Sequence, residues 1–116
     1  MPAANYDILI EKGATFRLSL TWRDANGTPV DLTNSSARMQ IRESINDAQA
    51  AVDLSSPSAG IVLGGTAGTI AVTLTAAQTA ALAIRRGVYD LEVQDSAGNV
   101  TRLLQGAVEV SPEVTR

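Results

Sequence analysis

Between Gly87 and Pro112 the chain reads GVYDLEVQDSAGNVTRLLQGAVEVSP, and no other stretch constrains the fold as strongly. Tyr89, Leu91 and Val93 alternate with Asp90, Glu92 and Gln94, so one face of an extended segment is apolar and the other polar, the pattern of a half-buried strand. Asp95-Ser96-Ala97-Gly98-Asn99 supplies turn residues, with Gly98 able to take a positive φ. The run Val100 to Val110 then returns with Leu104, Val108 and Val110 on one parity, which predicts a β-hairpin.

Similar patterns recur along the chain. Tyr6, Ile8 and Ile10 alternate with Asp7, Leu9 and Glu11 and predict a first strand. Phe16, Leu18, Leu20 and Trp22 alternate with Thr15, Arg17, Ser19 and Thr21, the cleanest period-two run, expected at the centre of a sheet with Trp22 buried. The polar turn Asp24-Ala25-Asn26-Gly27 leads to an extended edge segment over 28–33, where Pro29 cannot donate to a ladder. Ala37, Met39 and Ile41 alternate with Arg38, Gln40 and Arg42 in another strand. Periodicity fades over 44–60, which predicts an exposed loop with one short strand near Ala51 to Leu54, and deletion of 46–58 is expected to leave melting nearly unchanged. Two apolar pieces, Ile61 to Leu63 and Thr69 to Leu74, flank Gly64-Gly65-Thr66-Ala67-Gly68 and predict a second hairpin. Thr75-Ala76-Ala77-Gln78 has the form of a capping box and predicts one short helix from Thr75 to Leu82.

Seven or eight short strands at roughly ten-residue spacing, with one short helix, define the expected class: all-β, an immunoglobulin-like or Greek-key β-sandwich, as a single domain over 1–116. At 116 residues such a domain can close its core without a metal or disulfide.

Composition narrows the chemistry. Without Cys or His the chain has no thiol nucleophile, no imidazole base and no Cys/His zinc site, so it is expected to be non-enzymatic and to need no cofactor. A net charge of −3 argues against nucleic-acid binding, since neutralising phosphates takes a basic patch. No run approaches the length of a membrane span, and no secretory signal is evident at the start. Asp24, Asn26, Asp31, Asp95 and Asn99 sit where Asp and Asn stabilise turns, and neither DANG nor DSAGN has the acidic spacing of a calcium loop. Asp90 and Glu92 share a strand face and read as its solvated side rather than as a glycosidase pair. Arg38 and Arg42, expected beside Arg17 and Arg23 on a neighbouring strand, are the candidate contact residues on an outer sheet face. Glu113, Val114, Thr115 and Arg116 form a tail past Pro112 able to lie on a neighbour.

The segments YDILIEKGATFRLSLTWRDANGTPVDLTNSSARMQIRES and GVYDLEVQDSAGNVTRLLQGAVEVSPEVTR resemble a group of small tailed-phage and prophage virion proteins. The matching residues include Gly13 and Phe16, the Asp24, Gly27, Pro29, Asp31, Leu32 and Thr33 turn, Ile41 and Arg42, Tyr89 to Leu91, Asp95 and Gly98, and the ending from Leu103 through Gly106, Val108, Val110 and Pro112 to Val114, Thr115 and Arg116. Asn34-Ser35 departs from the pattern, a Gly-Tyr pair being commoner there. Similar sandwiches occur in collar and tail-fibre attachment proteins and at the start of baseplate upper proteins. The resemblance implies a structural or adaptor subunit, made in the bacterial cytoplasm and assembled into a virion, with other virion proteins as partners and copies arranged as a homo-oligomer. A carbohydrate- or receptor-binding module is the alternative, disfavoured by only 3% aromatic residues.

Overall fold

The computed structural model describes residues 3–57 and 59–114. Its elements are β1 (Ala4–Asn5), β2 (Ile8–Glu11), β3 (Phe16–Thr21), β4 (Ser36–Arg42), β5 (Val52–Ser55), β6 (Ile61–Leu63), β7 (Thr69–Leu74), α1 (Ala76–Ala80), β8 (Arg86–Gln94) and β9 (Val100–Ser111). Two sheets face each other. The larger runs β5-β4-β8-β9 and is completed by β1 and β2 along β9; the smaller runs β3-β7-β6. Consecutive strands change sheet between β2 and β3, β3 and β4, β5 and β6, and β7 and β8, which makes this an immunoglobulin-like sandwich.

Alternation places the core. Ile10, Met39, Ile41 and Leu91 from the larger sheet meet Ile61, Ile70, Val72 and Leu74 from the smaller one, all essentially without solvent contact. Leu32, Leu54 and Leu82 close the margins. With no cysteine, apolar contact rather than a disulfide holds the sheets together.

Helix α1 is one residue shorter at its start than expected and ends at Ala80, with Thr75 outside it as N-cap. The capping box is complete, Gln78 N donating to Thr75 Oγ1 at 3.1 Å and Thr75 N to Gln78 Oε1 at 2.8 Å. Behind it the fully buried Thr79 hydroxyl donates to the Ala14 carbonyl at 2.8 Å and accepts from Gly13 N at 3.0 Å, which pins the turn before β3 to the helix.

The strand expected over Tyr6 to Glu11 is shortened to β2, with Tyr6 exposed outside it, and a two-residue β1 precedes it. β1 and β2 both lie parallel to β9 in one register, Ala4 opposite Leu104 and Ile8 opposite Val108, and the break falls at Tyr6-Asp7. There the Tyr6 carbonyl turns to accept from the Tyr89 hydroxyl, while Asp7 Oδ1 takes the Ala107 N–H at 2.9 Å. Gly106 makes this possible, because a Cβ there would run into the Tyr6 carbonyl.

Three expectations change. Strand β3 pairs with β7 alone and is an edge strand, so Phe16, Leu18, Leu20 and Trp22 are half-buried rather than central. The 28–33 segment forms no strand of the sheet: an isolated bridge joins Pro29 to Arg23, and Leu32 enters the core. The expected short strand within 44–60 is present as β5, but 46–58 cannot be removed without cost, since β5 pairs with β4 over four residues and carries Leu54 into the core at 2% exposure. Asn34 has φ of 62°, the left-handed region that glycine occupies freely and Asn tolerates, which accounts for Asn where the resembling proteins commonly carry Gly.

Candidate interaction surface

The outer face of the larger sheet carries a polar lattice built by cross-strand register. Arg38 stands between Glu92 and Ser55, and Gln40 between Asp90 and Asp53. On the other side of β8, Asp90 faces Gln105, which in turn faces Asn5 of β1. Arg102 lies over both β8 carboxylates, 3.5 Å from Asp90 and 3.8 Å from Glu92. These pairs are partly exposed and contribute little to stability, but opposite charges in register fix the side chains as a patterned surface.

Arg42 is held more tightly. Its Nη1 donates to the Asp47 carbonyl at 2.8 Å and its Nη2 to Gln40 Oε1 at 2.8 Å. Because Asp47 also caps the turn by accepting from Ser44 N at 3.1 Å, Arg42 anchors the loop after β4 to the sheet face. That anchor presents Ile45, 82% exposed, beside Val88, 40% exposed. A shallow groove lined by Arg42, Ile45, Val88, Asp90, Arg102 and Gln105 runs between them.

Arg38 and Arg42 therefore share an outer face, but Arg17 does not join them, because β3 belongs to the other sheet. Arg23 follows β3 and donates to the Gly27 carbonyl at 3.0 Å. The face also carries Arg86 at the start of β8 and Arg102, and alternation alone places Arg102 wrongly. A bulge opposite Leu91/Glu92 shifts the register of β9, so Leu91 faces Leu104 while Glu92 faces Arg102. Arg102 and Leu104 have the same parity in sequence and opposite faces in the fold. A charged residue amid an otherwise apolar parity was the one available signal.

In the tail, Glu113 is half-buried, with its carboxylate in the space a Gly13 side chain would fill, and Val114 is 93% exposed. Thr115 and Arg116 lie outside the described residues.

The turn carboxylates serve their own turns. Asp24 Oδ1 accepts from Asn26 N and Thr28 N, and Asp31 Oδ1 from Thr33 N and Oγ1. Asp95 accepts from Ala97 N and from the Asn99 backbone and side-chain nitrogens. Hydrogen bonding from Thr33 holds Asp31, and from Asn99 first Asp95, below the ordinary carboxylate range.

No family model matches this chain, and no curated protein matches it. Among solved structures 236 chains match, a spread that argues for a widely shared fold rather than a shared task. One is the extracellular domain of the voltage-gated sodium channel beta4 subunit, similar over 98% of this chain and 97% of that one, at 14% identity and a TM-score of 0.50. The likeness is one of fold.

Proposed function

We propose that the chain is a non-enzymatic structural or adaptor subunit of a tailed-phage virion, acting by protein–protein contact in a symmetric assembly. The observation that carries the contact role is the outer face of the larger sheet, where Arg38, Arg42 and Arg102 alternate with Asp90 and Glu92 beside the exposed Ile45 and Val88. Arginine with a small apolar centre is the composition that protein interfaces favour. The virion setting is supported by the resemblance in sequence, whose motif residues Asp24, Asp31, Asp95 and Gly106 each have a defined job in a turn or a close approach. The sodium channel domain is described as forming parallel homodimers that explain a role in cell–cell adhesion, and the shared sandwich supports association between copies as a use of this fold.

Of the four aromatic side chains only Tyr6 is exposed, at 52%, and a sugar-binding reading has no second ring beside it to stack on. Tyr89 is buried at 4% exposure, and Phe16 and Trp22 pack against the core from the smaller sheet. The test is complementation of a producing strain lacking the gene. Arg38→Glu with Arg102→Glu should leave soluble, folded protein that fails to enter particles. Incorporation at the wild-type level would place the contact elsewhere.

A further inference from the structure

We propose that β3 is the seam of a homodimer, pairing edge to edge and antiparallel with β3 of a second copy about a two-fold axis at Ser19. Exposed edges are normally kept short, broken or charged. Three edges here follow that rule: β5 is four residues long and carries Asp53, β6 has three residues, and the β1/β2 edge is broken at Tyr6-Asp7. Strand β3 does not. It runs six residues in unbroken register with β7, contains no proline or bulge, and among the described residues nothing pairs with its outer edge.

The backbone geometry defines what that edge can take. Trp22 N donates to the Gly68 carbonyl, so Phe16, Leu18, Leu20 and Trp22 direct their backbone groups toward β7. Arg17, Ser19 and Thr21 therefore direct three N–H and three C=O groups outward, one donor and acceptor pair on every second residue, as another antiparallel strand requires. The inner face asks for the same completion. Phe16, Leu18, Leu20 and Trp22 all pack on the core and all remain half-buried, because no further strand lies beside them.

A second copy fits better than an arbitrary strand because the sequence is self-complementary about Ser19. That axis sets Arg17 opposite Thr21, Ser19 opposite Ser19, Leu18 opposite Leu20, and Phe16 opposite Trp22 of the other copy. No like charges face each other, and the aromatic pairs lie on the side facing the core. Arg17 is the one charged side chain of the strand, and Arg23 beyond its end is engaged with Gly27. The smaller sheets of two copies would become one six-stranded sheet. The inference rests on the self-association in the function proposed above and not on its virion setting.

The chain has no cysteine, so single-cysteine variants report the register directly. Residues opposite each other in a hydrogen-bonded antiparallel pair stand about 5.5 Å apart at Cα, within disulfide reach. Residue 17 of the two copies would stand about 14 Å apart, outside it. Under mild oxidation of the full chain, Ser19→Cys should give a covalent dimer, Arg17→Cys alone should not, and Arg17→Cys with Thr21→Cys should. Ser19→Lys, which opposes two cations at the axis, should weaken the dimer measured by sedimentation by about fivefold, with the fold intact by circular dichroism. A chain monomeric at every concentration, or cross-linking at 17 as fast as at 19, overturns the proposal. Either result leaves particle incorporation a separate question, since that assay needs no purified dimer.

Discussion

The Tyr89 hydroxyl on β8 donates to the backbone carbonyl of Tyr6, 83 residues earlier, across the break between β1 and β2. It replaces the ladder bond the break forfeits, so one buried side chain fastens the N-terminal strands to the sandwich. Tyr89→Phe should leave that carbonyl short of a partner and cost about 1–3 kcal/mol in denaturant unfolding.

The same contact sets a pH response. Burial first, then Tyr6 and Asp7, push the Tyr89 phenol up to about 12 from the ordinary 10. An acid whose folded pKa lies above its unfolded one binds more protons folded, so its contribution is complete below pH 10 and is lost as pH rises toward 12. Unfolding free energy should fall over that window in the wild type and fall less steeply in Tyr89→Phe.

Gly106→Ala places a methyl against the Tyr6 carbonyl. It should cost about 1–3 kcal/mol by prising β1 from β9. Amide exchange should accelerate at Tyr6, whose N–H bonds to the Gln105 carbonyl at 2.9 Å, while the β4–β8 ladder stays protected.

Removing 46–58 deletes all of β5, Leu54 included, so the shortened chain should melt far below the wild type or fail to fold. Leu54→Ala is the graded version and should cost about 2–5 kcal/mol. Thr75→Ala, by loss of one cap, should cost only about 1 kcal/mol.

Alternation made β4, β7 and β8 legible, because each has one face on the core and the period of two reports that directly. The capping box at Thr75 was legible because it is made of four adjacent residues. What alternation cannot carry is lateral position. Phe16 to Trp22 reads the same at an edge or in a centre, so the sequence does not reveal that β3 is an edge strand or that Arg17 belongs to the smaller sheet. Arg102 was hidden by a bulge that reverses parity between residues 102 and 104. The parallel pairing of β1 and β2 with β9 joins residues 100 positions apart, and nothing local marks it.

The proposed virion role is tested by quantitative mass spectrometry of particles purified from the producing strain. The prediction is that its peptides co-purify with the major tail and head proteins at a fixed ratio of several copies per particle, resistant to washing. Its absence from infectious particles, with the chain abundant in the lysate, would contradict the virion role.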